Sequence, residues 1–217
     1  MGKYKDFETL GRFETAGKDF EIQSRDGTSG IAVVAPHGGG IEPGTAEIAQ
    51  AVAGDEHAFY CFKGIKLSGN ADLHLPSISF DEPHGVRIVQ NVDTVLAVHG
   101  CREKDTVVFI GGLNHDLTDR LKESLTRSGF RTGKTAHGLQ GISPENICNR
   151  CRRKQGAQLE ISASLRKSMF NHFKHFSGRS DIDLFYRFIS AVRNAISIYR
   201  HHLTAQGTEQ YGAADNG

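Results

Sequence analysis

Short apolar runs, separated by glycines and polar segments, divide this chain into predicted strands. The clearest run is "GIAVVAP" at 30–36, whose unbroken apolar and β-branched residues are typical of a strand buried on both faces. Similar composition predicts strands at 57–64, 92–100 and 105–112. The alternating pattern of "AQLEIS" predicts one more at 157–162.

Helical periodicity appears between and after these strands. Leu117, Leu121 and Leu125 recur every fourth residue among polar neighbours, which predicts an amphipathic helix over 115–130. A segment that ends in glycine, 44–54, predicts a shorter helix. A longer helix is predicted over 181–203 from its aligned apolar residues, which are Leu184, Phe188, Val192, Ile196 and Tyr199.

This alternation of strands and helices predicts an α/β fold, a three-layer sandwich around a mixed, mostly parallel central sheet. The 217 residues suit a single catalytic domain, predicted at 1–203. Within it, 1–30 is mixed and polar and is expected to pack as an N-terminal extension. The small polar residues at 204–217 predict a disordered tail.

Composition narrows the classes of function. The formal net charge of +1 gives no overall attraction to nucleic acid or to an anionic membrane. Apolar runs all fall short of the roughly 18 residues that a membrane-spanning helix needs. The first residues, "MGKYKDFETL", lack the apolar segment of a secretory signal. These features predict a protein with neither nucleic acid nor membrane as a partner.

A C-x-x-C pair, Cys148 and Cys151, raises the possibility of a zinc or redox motif. A zinc ribbon needs a second such pair, and a thioredoxin-like motif should follow a strand, whereas "ENICNRCRR" is polar and predicts a helix. Reduced cysteines without a metal are the simpler interpretation.

The residues with catalytic potential follow predicted strands. His37 ends the first strand and Glu42 follows it across a glycine turn, while His99 ends the strand at 92–100. Glu160 stands between Leu159 and Ile161, so its side chain should point away from theirs. Sites in α/β sheets gather beyond the carboxyl ends of the strands. Two histidines and a glutamate form an accepted ligand set for catalytic zinc, and a second glutamate could act as general base.

The glycine-rich loop permits a second interpretation. In "GGIEPGT" at 39–45 the spacing resembles a phosphate-binding loop, except that Thr45 stands where the lysine is required. A carboxylate within the loop would also repel phosphate. In the metal interpretation, Gly38, Gly39 and Gly40 can take positive φ, and the sharp turn that this permits could bring Glu42 back beside His37.

Candidate substrate-binding residues are less distinctive. Asn149 and Arg150 could clamp a carboxylate, because arginine binds carboxylates through two parallel hydrogen bonds. A solvated face in the basic run "NRCRRK" is the alternative, and the sequence alone favours it. His74, His84 and His57 each fit a structural or solvated role better than a catalytic one.

Several of these segments together resemble a known family over about residues 30–200. The segments are "PHGGGIEPGT", "VDTVLAVHG", "VFIGG", "NICNR" and "LEIS". They resemble the phage-derived poly-γ-glutamate hydrolases, a zinc-dependent group with a zinc-carboxypeptidase-like fold. The resemblance implies one zinc ion as cofactor and hydrolysis of γ-glutamyl amide bonds in poly-γ-glutamate, a polyanionic capsule of some bacilli.

Residue by residue, the resemblance implies that His37, Glu42 and His99 are the metal ligands and that Glu160 is the general base. Ordinary zinc carboxypeptidases use H-x-x-E, whereas four residues separate His37 from Glu42 in this chain.

For the substrate, the resemblance implies that Asn149 and Arg150 hold a carboxylate, and it requires an arginine for the oxyanion, for which Arg87 is the candidate. A basic cluster at 150–154 would suit the α-carboxylates of the polymer.

The leading hypothesis is therefore a monomeric zinc hydrolase of a phage, made in the host cytoplasm and acting outside the cell after lysis. A metal-dependent deacylase of small N-acyl amino acids would use the same site. A non-enzymatic module that binds an anion or nucleotide through the glycine loop is the rival from another class.

Overall fold

Seven strands form one sheet in the computed structural model, which describes residues 2–134, 138–170 and 180–212. In chain order they are β1 (Phe20–Arg25), β2 (Ile31–Gly39), β3 (Ala58–Gly64), β4 (Thr94–Cys101), β5 (Val108–Gly112), β6 (Thr132–Lys134) and β7 (Ala157–Ser162). Their order across the sheet is β1-β3-β2-β4-β7-β5-β6. Within the described ranges, β1 with β3 and β5 with β7 are antiparallel, and the other pairings are parallel. The predicted mixed, mostly parallel sheet is confirmed.

Six helices accompany the sheet in the described ranges. They are α1 (Phe7–Gly11), α2 (Thr45–Ala53), α3 (Pro83–Gln90), α4 (His115–Arg127), α5 (Ala163–Phe170) and α6 (Ser180–Gly212). Local side chains define several of their starts. The Glu82 carboxylate accepts hydrogen bonds from two backbone amides at the start of α3. Pro83 suits the first position of this helix, because proline has no N–H and so leaves no donor unsatisfied there. Asn114 caps α4 by accepting from the amide of Leu117.

Two apolar clusters, one on each face of the sheet, make the three layers. Alternate strand residues such as Leu96 and Leu159 face α2, α4, α5 and α6. The intervening residues, such as Ala97, face α1, α3 and the 3₁₀ turn Ile147–Asn149. The α/β three-layer architecture predicted from the sequence is therefore correct.

The structure adds elements that the apolar pattern did not predict. The segment 1–30 supplies α1 and β1, and β1 lies antiparallel to β3 at the edge of the sheet. Edge strands are solvated on one side, so the mostly polar "FEIQSR" carries little of the apolar signal that marks central strands. The predicted helix at "ENICNRCRR" is only a 3₁₀ turn.

The last helix also differs from its prediction. Phe188, Val192, Ile196 and Tyr199 are buried as their spacing predicts. However, α6 continues to Gly212, so the disordered tail predicted from 204 begins inside a helix. Residues 213–217 lie outside the described ranges, and the single domain at 1–203 stays a prediction. No helix in the described ranges is both long enough and apolar enough to cross a membrane.

Three central strands position the candidate site. Strands β2, β4 and β7 are neighbours and run parallel, so their carboxyl ends lie along one edge of the sheet. His99 of β4 is paired directly with Glu160 of β7. This register gives the two side chains the same face of the sheet.

Candidate metal centre and active-site cleft

His37 is aimed by an irregularity in β2. Strict alternation would give it the same face as Val33 and Ala35, which pack against the large helical layer. The pairing with β3 shifts register between Ala35 and Gly38. His37 instead places its Nε2 atom 2.7 Å from the carbonyl of Leu75, a residue of the opposite cluster. The bulge therefore turns His37 toward the face that carries His99 and Glu160.

The loop after β2 folds back so that Glu42 lies beside His37. The Glu42 amide donates to the His37 carbonyl at 2.9 Å, and the Thr45 hydroxyl donates to the Glu42 carbonyl at 2.8 Å. Gly39 has a φ of 62°, a backbone conformation that residues other than glycine rarely adopt. Of the three glycines that were free to take positive φ, only Gly39 does so.

This hydrogen bonding also bears on the phosphate-loop alternative. The amides of Gly40, Glu42 and Thr45 donate to backbone carbonyls of Gly64, His37 and Glu42 respectively. A phosphate cradle needs such amides to be free and pointing at the ligand. The loop therefore lacks the geometry of a nucleotide site. Thr45, at the position where a phosphate-binding loop has its lysine, instead donates its hydroxyl to the carbonyl of Glu42.

His37, Glu42 and His99 converge on one point. His37 Nδ1 lies 3.2 Å from Glu42 Oε1 and 3.2 Å from His99 Nδ1. His99 Nδ1 lies 3.8 Å from Glu42 Oε2. One candidate ligand atom from each residue lies within 4.8 Å of the other two. The structure thus brings together the three residues predicted to bind a metal.

The spacing and the proton positions suit a zinc ion. Two atoms bound at about 2.0–2.1 Å to tetrahedral zinc lie about 3.3–3.4 Å apart, close to the separations measured from His37 Nδ1. Because the Leu75 carbonyl can only accept, His37 Nε2 carries a hydrogen, which leaves Nδ1 as the ring nitrogen that can offer its lone pair to a metal when the imidazole is neutral. A histidine that binds a metal through one ring nitrogen usually donates the N–H of its other ring nitrogen in such a hydrogen bond.

The charges of these groups are also those of metal ligands. Burial alone would raise the pKa of Glu42, but nearby His37, with His74 and His99, outweighs it, and the pKa lies well below its ordinary value. Burial lowers the pKa of His99 to about 3, against the attraction of Glu42. Glu42 is thus ionised and His99 neutral near pH 7, as metal binding requires.

Glu160 faces the same space with a different electrostatic environment. It is only 5% exposed, and Gln158 Nε2 lies 3.4 Å from its Oε1. Burial, followed by repulsion from Glu42, raises the pKa of Glu160 to about 8, while the attraction of Arg166 opposes the increase. A carboxyl with its pKa near neutrality can both accept and return a proton. Leu159 and Ile161 pack in the opposite layer, as the alternation predicted.

A cleft of about 780 Å³ contains all four residues. Other residues of its lining are Pro76, Ile78, Arg102, Leu139, Asn146 and Gln158.

Two further lining residues, His74 and Arg166, are functional candidates that the sequence did not single out as such. His74 stacks on His37 with 3.8 Å between ring centroids, and its Nε2 lies 3.5 Å from Glu42 Oε1. Its place on a loop beyond β3 gave no sequence signal for this contact.

Asn149 does not reach the cleft. Its side-chain amide donates to the carbonyls of Gly141 and Ser143, and its oxygen accepts from the amides of Leu113 and Gly156. The side chain is 1% exposed and fully occupied with these backbone groups. The carboxylate clamp predicted for Asn149 therefore lacks its geometry, and the residue instead ties three loops together.

Arg150 and Arg87 are also directed elsewhere. Arg150 donates to the carbonyl of Phe80 and is absent from the described lining of the cleft. Arg87 is exposed in the last turn of α3 and pairs with Asp26 at 3.2 Å. The predicted substrate-binding roles of both arginines are not supported by their positions.

Cys148 and Cys151 are likewise outside the site. Both are buried with free thiols, and they lie against the carbonyls of Gly141 and Gln155. Burial raises the pKa of Cys148 far above its ordinary value, so this thiol stays protonated near pH 7. These contacts are those of structural cysteines.

Comparison with known proteins decides which family this arrangement belongs to. A sequence profile described as poly-γ-glutamate hydrolase matches residues 4–191. The chain belongs to the poly-γ-glutamate hydrolase family. YndL of Bacillus subtilis (strain 168) is 36% identical over 78% of this chain and 68% of its own length. The prophage-derived YoqZ of the same organism is 31% identical over 90% of this chain and 72% of its own length.

Solved structures agree with this assignment. A bacteriophage poly-γ-glutamate hydrolase superimposes with a TM-score of 0.85 and 29% identity, covering 92% of this chain and 98% of its own. A zinc-free structure of YndL gives a TM-score of 0.82 and 32% identity over 91% of this chain and 98% of its own. An N-formylglutamate amidohydrolase from Ralstonia eutropha, at 9% identity and a TM-score of 0.55, shares the fold alone. The family resemblance read from the sequence is confirmed, and with it the zinc-carboxypeptidase-like fold class.

Proposed function

We propose that this member of the poly-γ-glutamate hydrolase family is a zinc-dependent enzyme that cleaves γ-glutamyl amide bonds of poly-γ-glutamate. The observation that supports this most strongly is the convergence of His37, Glu42 and His99 beside Glu160 in one cleft. The three ligands would hold one metal ion and leave a position for water, the arrangement of catalytic rather than structural zinc sites.

The proposed roles follow from the charge of each group. A zinc ion, when bound, lowers the pKa of its water to about 7 and polarises the substrate carbonyl. In its ionised form, which a pKa of about 8 makes the minor form near pH 7, Glu160 would take the proton of the attacking water on a carboxylate oxygen and return it to the nitrogen of the leaving amine. Neutral His99 and ionised Glu42 would supply the metal with lone pairs, and the carbonyl of Leu75 fixes the Nε2 hydrogen of His37, so that its Nδ1 would face the metal.

The lining of the cleft supports a polyanionic substrate. Every residue of poly-γ-glutamate carries a free α-carboxylate, and the exposed Arg102 and the buried Arg166 both line the cleft. No described ion pair neutralises Arg102. This local cationic character replaces the basic cluster at 150–154, in which Arg150 donates to Phe80 and Arg152 lies 3.8 Å from Asp93. A phage that must cross a poly-γ-glutamate capsule would benefit from such an enzyme once lysis releases it.

The decisive experiment combines the polymer with control of the metal. Purified protein is incubated with poly-γ-glutamate, and chain length is followed by size-exclusion chromatography with chelator, without it, and after zinc is restored. We expect depolymerisation that is lost on chelation and regained with stoichiometric zinc. Intact polymer at full zinc occupancy would refute the proposal.

Two variants and one alternative substrate sharpen this test. Glu160→Gln should keep zinc and lose turnover, whereas Glu21→Gln, which removes an exposed carboxylate from the edge strand, should match the wild type. Small N-acyl amino acids tested in parallel distinguish a deacylase that uses the same site. Their rapid hydrolysis with the polymer untouched would favour the deacylase.

A further inference from the structure

Arg166 occupies an unusual position for a buried cation. It projects from α5 and is 8% exposed, at the wall of the cleft. Its Nε donates to the carbonyl of Ile161 at 3.0 Å, its Nη1 to that of Pro43 at 2.6 Å and its Nη2 to that of Cys101 at 3.2 Å. One guanidinium therefore links three separate stretches of backbone.

Each of those stretches carries a residue of the candidate site. Pro43 directly follows Glu42, Cys101 lies two residues after His99, and Ile161 directly follows Glu160. Cys101 and Ile161 lie in the last paired residues of β4 and β7, whereas Pro43 lies in the loop after β2, beyond the pairing of that strand. Arg166 therefore ties the loop that carries Glu42 to the two strand ends that carry His99 and Glu160.

Gly100 reinforces this interpretation. A Cβ atom at this position would lie 2.5 Å from Arg166 Cζ, so the guanidinium lies directly against the glycine backbone. The amide of Gly100 donates to Glu42 Oε2 at 2.7 Å. The absence of a side chain at position 100 therefore lets the arginine and the metal-site carboxylate lie on the same peptide.

We infer that Arg166 is a positioning residue that fixes Glu42, His99 and Glu160 relative to one another by holding the backbone beside each of them. The inference rests on the proposed function for its catalytic consequence, although metal affinity tests it independently. The planar fork of arginine presents donors in several fixed directions, whereas the lysine ammonium is a single point on a flexible stem. A lysine at position 166, which would keep only the charge, should therefore not perform the positioning role of Arg166.

The test uses two variants that alter this contact in different ways. Arg166→Lys keeps the charge and loses the fork. Gly100→Ala keeps the arginine and the Gly100 amide, and displaces the end of a flexible side chain. The control is Arg193→Lys, because Arg193 also donates to a backbone carbonyl, that of Val52, away from the cleft.

We expect both test variants to lose about 10- to 100-fold in kcat and in zinc affinity, with KM changed less than about threefold. Zinc affinity is measured by competition with a chromogenic chelator well below the unfolding temperature. Arg193→Lys should retain kcat, KM and zinc affinity. Wild-type kcat and zinc affinity in folded Arg166→Lys would overturn the inference, as would a loss confined to KM.

Chemical rescue provides a second measurement, in which the guanidinium group is supplied separately from the side chain. In Arg166→Ala the void opens on the cleft, so added guanidinium at about 10–50 mM, far below its denaturing range, can enter. We expect recovery of kcat with guanidinium and none with ammonium at equal ionic strength. Equal effects of the two ions would refute the need for the fork. If wild-type protein fails to cleave the polymer, the proposed function fails, while the zinc affinities still decide the role of Arg166.

Discussion

The raised pKa of Glu160 gives the most quantitative prediction, the effect of Glu160→Gln on the stability of the metal-free protein. A carboxyl whose pKa is higher in the folded state holds its proton more tightly there. Folding is therefore favoured below the unfolded pKa of 4.5, and stability falls as pH rises from 4.5 through about 8. Glutamine has the same shape and no charge, so this decline should be absent from the variant.

The expected size follows from the same two values. The shift from 4.5 to about 8 costs the wild type roughly 4 kcal/mol between pH 5 and pH 9. The variant should gain that amount relative to the wild type over this range. For a domain of this length, 4 kcal/mol corresponds to roughly 8–16 °C in Tm.

The assay is thermal unfolding followed by circular dichroism on chelator-treated protein at several pH values. His99 and Glu42 are present in both proteins, so their own titrations largely cancel in the difference. Glu21→Gln provides the control, because removing an exposed carboxylate should leave the pH profile unchanged. A difference between Glu160→Gln and wild type that stays constant from pH 5 to pH 9 would show that Glu160 ionises normally, and would refute the reasoning.

Three further predictions test the placement of individual side chains. Thr45→Val removes the hydroxyl that donates to the carbonyl of Glu42, and zinc affinity in a chelator competition should fall about tenfold. An unchanged affinity would show that this hydrogen bond is not needed to position Glu42. Asn149→Ala removes four hydrogen bonds to backbone groups and leaves the amides of Leu113 and Gly156 without a described partner, so urea unfolding should show a loss of about 3 kcal/mol or more, whereas a loss below 1 kcal/mol would contradict the structural role. Arg87→Ala should leave kcat and KM for the polymer within twofold, because Arg87 lies outside the described lining of the cleft; a large rise in KM would restore it as a substrate-binding residue.

Local pattern carried much of the information about the fold. Continuous apolar runs are what a strand needs when helices cover both faces, so β2, β4 and the helix at 115–127 were predictable. Strand β1 and helix α3 were not, because a solvated edge strand and a short helix bury too few residues to leave a clear pattern. The tail prediction from 204 used polar composition, whereas α6 extends to Gly212.

The candidate site, like the fold, was predictable from the sequence only in part. His37, Glu42, His99 and Glu160 could be found from the sequence, because each stands in or directly after an apolar strand and parallel strands bring such ends together. Asn149 was predicted to hold a substrate carboxylate, whereas its side chain bonds to four backbone groups, because sequence does not show which backbone groups a buried amide will meet.

Local pattern was enough to predict five of the seven strands and to place four candidate residues at the carboxyl edge of the sheet, because apolar runs and strand ends depend on neighbours along the chain. Three features came from the folded chain alone: a bulge turns His37 toward the cleft, His74 stacks on it, and Arg166 links the loop after β2 to the ends of β4 and β7. These contacts join segments far apart in the chain. They depend on strand order and register, which the whole core establishes and no local pattern records.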